Sequence, residues 1–223
     1  MSGVLSIEGL TIPTEALSDL AAFRRWVGTL DEGAPRVHFG SGGVCIEMSQ
    51  NCASHLVVVR GFTLALAGLG KELSLGEYYP DGGWLTNETA GLSTQPDGFL
   101  VLWDTFDSGE ARFQPRASGD GSVELVGRGD MVLEVVSDNS VKKDTVDLVR
   151  DYARAGFPEY WIVDARGEQP SFRILRLAGS RYRDVRPDSA GWRASKVWGC
   201  AFRLVKALER PGHPRYDLLV RRP

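Results

Sequence analysis

The chain has 223 residues, 43% of them hydrophobic and 25% charged, a balance that excludes a disordered, collagenous or coiled-coil protein. Its formal charge of -3 hides an asymmetry: from Ala165 onward there are fourteen Lys and Arg against five Asp and Glu, so the preceding 164 residues carry twelve against twenty-four. A basic segment can meet phosphates and clustered carboxylates can meet metal ions, although positive charge also protects exposed strand edges from aggregation.

In chain order, the first predicted helix covers residues 14–28, with Leu17, Leu20, Ala21 and Val27 as its apolar stripe and Thr14 as its cap after Pro13. Short strands follow at 36–39 and 43–48. A second helix is expected over 53–67, against the β-branched Val57, Val58 and Val59. The longest apolar stretch, 56–69, is too short for a membrane span and is interrupted by Arg60. With no basic region and hydrophobic core at the N-terminus, and with three cysteines (Cys45, Cys52, Cys200) that form no disulfide framework, the expectation is a cytoplasmic, reduced protein without a membrane partner. Residues 76–113 read as strands and turns, punctuated by Pro80-Asp81-Gly82-Gly83 and Pro96-Asp97-Gly98.

The clearest unit is 130–164. Met131-Val132-Leu133-Glu134-Val135-Val136 is apolar on both faces, as in a strand buried on both sides. A polar turn, 137–140, leads to a helix over 144–155 with Val146, Val149, Tyr152 and Ala153 on one face. Gly156 is its left-handed terminator, Pro158 lies just beyond, and 160–163 is the next strand. Strand, helix and strand at this spacing imply a crossover between parallel strands. Later runs such as Phe172-Arg173-Ile174-Leu175 extend the same sheet with antiparallel strands, so the chain is read as one α/β domain.

Two carboxylates stand out. Glu134 lies in an apolar strand, where burial is costly unless the charge is paired or binds a metal; an Arg partner or a solvent-reaching strand end are the plainer explanations. Asp97 sits at the mouth of another buried strand, Phe99-Leu100-Val101-Leu102, although Pro-Asp-Gly alone is usually a turn. On neighbouring strands the pair could hold a hard divalent cation, which acidifies bound water and stabilises charge on a phosphate.

Pro96-Asp97, a long gap and Glu134 on a hydrophobic strand resemble the PD-(D/E)XK nuclease superfamily. Residues 129–137, Lys143-Asp144, Tyr152, Ala155-Gly156 and Pro158-Glu159-Tyr160-Trp161-Ile162-Val163-Asp164, with Ile46-Glu47-Met48-Ser49 and His55 upstream, resemble the bacterial Uma-type restriction endonucleases. The likeness runs from about Arg36 to the C-terminus. It implies a restriction-endonuclease-like fold, a central mixed β-sheet flanked by helices with antiparallel C-terminal strands, in one domain over 1–223. It further implies hydrolysis of DNA phosphodiesters with Mg²⁺, or Mn²⁺ in its place. Asp97 and Glu134 would be the metal ligands, Glu47 an added acidic or water-orienting group, and a homodimer the means of cutting both strands.

The sequence departs from the superfamily in its lysine. Val136 occupies the position two after the acid, and Leu148 the alternative position on the following helix. Lys142, Lys143 and Arg150 are the cations nearby; Lys143, at the helix entrance, is the preferred one, with Arg150 expected to pair with Asp147 or with the acidic neighbours of Arg154. His55 is weighed as a proton shuttle or ligand against a packed polar residue, and Cys45, Cys52, His38 and His55 as a zinc set of unsuitable spacing. Tyr160, Trp161 and the other tryptophans (Trp84, Trp103, Trp192, Trp198) are expected to pack, and Asp164 to form a turn. The competing reading is a nucleic-acid-binding or scaffold protein that keeps the fold without catalysis.

Overall fold

The computed structural model describes residues 3–7, 9–31, 33–47, 53–116, 123–211 and 213–223. Its centre is a six-stranded mixed sheet in the order β14-β13-β12-β11-β8-β5: β5 (Gly76–Pro80), β8 (Gly98–Leu102), β11 (Met131–Val135), β12 (Glu159–Asp164), β13 (Ser171–Ala178) and β14 (Arg181–Asp184). Within it β11 and β12 pair in parallel, Glu134 opposite Ile162, while the other neighbours are antiparallel. The strands beyond β12 are antiparallel as expected, and Gly156 holds its positive φ of 80° after the crossover helix.

The two faces of β11 bury different neighbours, which follows from the two-residue period of a strand. Met131, Leu133 and Val135 pack with Val58, Phe62, Leu66 and Leu69 of the long helix α2 (Ala53–Leu73). Val132 and Val136 pack with Leu148 and Tyr152 of the crossover helix α4 (Leu148–Arg154). Glu134 shares that second face, so the carboxylate enters the α4 side of the sheet. Helix α2 is longer than the expected 53–67 and, by length and composition alone, could cross a bilayer. Here its apolar stripe faces the sheet, and Tyr216, Leu218 and Phe202 close the same core. The β-branched run at Val57–Val59 is overridden by that packing.

A second six-stranded sheet, ordered β4-β3-β7-β6-β10-β9, brings β3 (Arg36–Gly40), β4 (Gly43–Glu47), β6 (Trp84–Asn87), β7 (Leu92–Thr94), β9 (Ala111–Pro115) and β10 (Val123–Gly127) together. The short helix α3 (Trp103–Asp107) follows β8. At the N-terminus a hairpin of β1 (Val4–Ile7) and β2 (Leu10–Pro13), not foreseen in the sequence, precedes α1 (Leu20–Val27). The expected 14–28 helix is divided: Thr14–Leu17 is a 3₁₀ turn, and the α-helix begins only after Asp19, whose side chain accepts from Ala22 N at 2.6 Å. An Asp cap at that position outcompetes Thr14, whose hydroxyl instead donates to Gly3 O. Three strands at the C-terminus, β15 (Arg193–Ala194), β16 (Ala201–Arg210) and β17 (His213–Arg221), form a separate antiparallel sheet against α2. Among the described residues they pair only with one another, while Phe202, Tyr216 and Leu218 pack into the core shared by α2 and the central sheet, Phe202 against Trp161.

The crossover helix also differs from expectation. Instead of one α-helix over 144–155, the chain makes a π-helical turn at Lys143–Asp147 before α4. Wide turns of this kind recur at functional sites. Here two consecutive residues, Lys143 and Asp144, are both buried.

Candidate active site

Three segments converge at the end of the central sheet where β11 finishes and β8 begins. Asp97, immediately before β8, is locked from several sides: its Oδ2 accepts from Val135 N at 2.7 Å and from His55 Nε2 at 3.2 Å, and Arg36 Nη1 lies 3.4 Å from Oδ1. Arg36 in turn forms a close ion pair with Asp81. His55 comes from the first turn of α2, so the helix that covers one face of the sheet also delivers a side chain to its end.

Glu134, 2% exposed, accepts from the hydroxyl of Tyr152 at Oε1 over 2.7 Å. Lys143 Nζ lies 3.8 Å from its other oxygen, 3.1 Å from Asp144 Oδ1, and in close contact with Glu47 at the end of β4. Asp144 also accepts a short hydrogen bond from the Ser140 hydroxyl. Asp97, Glu134, Lys143 and Glu47, all candidates from the sequence, therefore line one cavity of about 90 Å³ together with Arg36, His55, Ser137 and Asp144. At roughly 30 Å³ per water, that volume suits a few waters or a hydrated ion.

The electrostatics of this cavity are set by too many carboxylates in too little water. Burial, reinforced by Asp144, Asp97 and Glu47 and opposed by Lys143, pushes Glu134 well above the ordinary glutamate range. Burial also lifts Asp144 to about 6, against the pull of Lys143 and Ser140. Asp97 goes the other way: burial works against its charge, but the His55 hydrogen bond and charge, the Val135 N–H and Lys143 hold it below the usual value. Burial would neutralise Lys143, yet Glu134, Asp144 and Glu47 raise it well above an ordinary lysine, so it remains an ammonium. His55 is raised as well, because Asp97 outweighs burial and the repulsion of Arg36.

An acidic, oxygen-only donor set is the chemistry a hard divalent cation requires. Among the described residues no three His, Cys, Asp or Glu side chains converge on one point as they stand; the ammonium of Lys143 lies among the carboxylates instead. Burial first, and then their acidic neighbours, keep Glu134 and Asp144 raised against the pull of Lys143, and Asp144 Oδ1, although 3.1 Å from Lys143 Nζ, accepts no well-aligned hydrogen bond among the described residues. The residues present thus fit such an ion.

The remaining candidates fall outside the cavity. Lys142 is 81% exposed at its side chain and pairs with Asp147, as does Arg150, in keeping with the expected Arg150–Asp147 contact. Val136 and Leu148, where the motif lysine is missing, are core residues. Of the imagined zinc set, Cys52 lies outside the described residues, as do Met48 and Ser49 of the upstream motif, and His38 is buried away from His55, its ring kept neutral. Asp164 pairs with Arg166 in the turn after β12. Tyr160, Trp161 and Trp198 are core, whereas Trp84 lies under the Arg116 guanidinium and Trp192 under those of Arg203 and Arg221. Arg36, Asp144 and Tyr152 also enter the site; Asp144 and Tyr152 belong to the family-like motif, but the sequence assigns neither of them a role there.

A profile of the Uma2 family, described as "Putative restriction endonuclease", matches residues 20–199. No curated protein sequence matches the chain. Among solved structures it resembles the crystal structure of a "putative nuclease belonging to DUF820" from Anabaena variabilis, at 14% identity over 80% of this chain and 89% of that one, with a TM-score of 0.57. That likeness, at such low identity, concerns the fold, which is of the restriction-endonuclease-like type. The profile covers most of the chain, and with the sheet-end carboxylates it establishes that this protein belongs to the Uma2 family.

Proposed function

We propose that this protein is a metal-dependent endonuclease that hydrolyses DNA phosphodiester bonds. The observation that carries the reading is the buried trio of Asp97, Glu134 and Lys143 at one cavity, in which carboxylates outnumber the charge available to neutralise them. Asp97 and Glu134 would hold Mg²⁺, or Mn²⁺ in its place. Such an ion supplies Lewis acidity toward a phosphate oxygen and lowers the pKa of bound water.

The chain's own residues would divide the remaining work. Tyr152 occupies Glu134 Oε1 and leaves Oε2 directed toward Lys143. Val135 N–H, His55 and Arg36 fix the orientation of Asp97. Lys143, held as an ammonium, would orient the attacking water and stabilise the negative charge that builds on the pentavalent phosphorus; so strongly held a proton makes it unsuited to be the base. Glu47, in close contact with Lys143 and only partly buried, is placed to accept a hydrogen bond from that water. The basic C-terminal segment would supply phosphate contacts independent of base sequence.

The alternative of a non-catalytic nucleic-acid binder draws on the absent lysine at Val136 and Leu148. The burial of Lys143 among Glu47, Glu134 and Asp144 favours catalysis over it. The test is nicking of supercoiled plasmid in Mg²⁺, Mn²⁺ and EDTA, with wild type and Glu134→Ala. Metal-dependent nicking lost in the variant is expected; cleavage unchanged in Glu134→Ala refutes the mechanism, and DNA binding without any nicking returns the alternative.

A further inference from the structure

The C-terminal hairpin extends well past the sheet that anchors it. Strands β16 and β17 pair from Ala201 opposite Arg221 to Arg210 opposite His213, while β15 covers only Ala201 and Phe202. From Arg203 onward one edge of β16 therefore has no strand beside it among the described residues. Near the end of the ribbon the register shifts between Leu208 and Arg210, a bulge that re-aims side chains. Leu208 is 72% exposed there and shares a face of the ribbon with Lys206, whereas Arg215, opposite Ala207, lies on the other face.

The position of this ribbon follows from two contacts. Gly61 of α2 lies so close to β17 that a Cβ would collide with Tyr216 O, and Arg222 pairs with Glu72 further along, so β17 and α2 advance in the same direction. From Gly61 back to His55 is six residues, about 9 Å of helix. From Tyr216 back to His213 is three residues, about 10 Å of strand. The tip thus stands level with His55, whose ring bonds Asp97. Independently, Lys206 Nζ donates to Glu168 O at 3.0 Å, in the turn after β12, at the same end of the central sheet as the cavity.

We infer that the β16–β17 hairpin is an arm that grips duplex DNA beside the cleft, Lys206, Arg210 and Arg215 contacting phosphates and Leu208 pressing against a base step. This deepens the proposed nuclease function and rests on it for the identity of the polymer. Charge complementarity selects the occupant: the ribbon holds five Lys and Arg against two acids, and although Arg215 pairs with Asp217 at 2.9 Å, Lys206 and Arg210 make no ion pair among the described residues. Arg60 of α2 and Arg215 line a common groove of about 620 Å³ that also holds Asp217. A two-stranded ribbon fits a DNA groove, and an inserted apolar side chain is a usual means of unstacking a step.

The experiment is fluorescence anisotropy of a labelled duplex several turns long, titrated with the full chain in EDTA across a salt series. Wild type is compared with Lys206→Ala/Arg210→Ala/Arg215→Ala, and with Arg181→Ala/Arg183→Ala/Arg186→Ala, which removes equal charge at and just after β14. The arm variant should flatten the dependence of log affinity on log salt by about two to three, near 0.9 for each lost phosphate contact. The β14 variant should change it by less than one. Leu208→Ser should weaken binding and reduce duplex bending, read by end-to-end energy transfer, with the salt slope unchanged. An unaltered slope in the arm variant, or an equal loss in both triple variants, overturns the proposal, as would capture of single strands or of anionic vesicles in place of duplex. Because binding is read without metal, a protein that never nicks but shows these slopes refutes the nuclease function alone.

Discussion

Replacement of Lys143 by Met keeps a stem of similar length and removes the only cation in direct contact with Glu47, Glu134 and Asp144 among the described residues. At an effective dielectric constant of about 20, its 3.1 and 3.8 Å contacts with Asp144 and Glu134 are each worth roughly 4–5 kcal/mol before desolvation. Burial of the ammonium offsets much of that attraction. Breaking a buried ion network from one side nonetheless costs about 3–5 kcal/mol, because the partners stay buried without compensation. For a chain of this size the loss corresponds to a fall in Tm of roughly 6–20 °C in EDTA. The deficit should shrink as pH falls from 8 to 5, since the orphaned carboxylates take up protons and no longer need a cation. A divalent ion can refill part of the charge: at ten times its Kd, Mg²⁺ stabilises by about 1.4 kcal/mol. Its stabilisation should therefore be larger in Lys143→Met than in wild type, while plasmid nicking stays at least about a hundredfold down. Differential scanning fluorimetry over pH and Mg²⁺, beside the nicking assay, reads both effects. A variant as stable as wild type in EDTA that still cleaves DNA would refute the reasoning.

Tyr152→Phe keeps the ring contacts with Phe157 and Tyr160 but removes the hydrogen bond that Glu134 Oε1 accepts among the described residues. It should cost about 1.5–3 kcal/mol in urea unfolding, and weaken Mn²⁺ binding followed by electron paramagnetic resonance; unchanged Mn²⁺ affinity would separate the phenol from the site. Burial, with Lys143 adding to it, depresses His38 to about 3. A histidine neutral in the folded protein binds its proton only on unfolding, so its stabilisation is complete above pH 6.5 and is lost as pH falls toward 3. About 2.3 kcal/mol should go between pH 6.5 and 4.5, and His38→Gln should unfold with a correspondingly flatter pH profile; parallel profiles would show that His38 is not the titrating group. Gly61→Val should lower Tm by several degrees by forcing α2 and β17 apart, whereas Gly68→Ala, where a Cβ meets nothing, should not.

Much of the site could be read from the sequence because its carboxylates violate their surroundings. Glu134 is conspicuous in a strand apolar on both faces, and the β11–α4–β12 crossover around it is announced by two such runs with a capped helix between them. Asp97 was legible only through its pairing with Glu134, since a Pro-Asp-Gly turn has no message of its own. The roles of Arg36 and Tyr152 were not legible: one reaches the cavity from another sheet, and the other, though part of the family-like motif and of an apolar helix face, shows its role only through the bond of its hydroxyl to Glu134. Of the strands expected to extend the central sheet, β13 and β14 do so and β15 to β17 form a sheet of their own, because period and composition carry no information about which edge a strand pairs with.

The π turn at Lys143–Asp147 separates the count of residues from their direction in space. It holds more residues than the α turn it replaces, and one residue of helix corresponds to about 100° of rotation. Removal of a single residue there would let the segment wind regularly and swing Lys143 out of the acidic cavity, though every side chain in the motif remained. Conversely, a lysine at a different ordinal position on a regular helix would arrive at the same place without the wide turn. What natural selection can preserve here is a charge at a point, reached by whichever combination of position and winding delivers it.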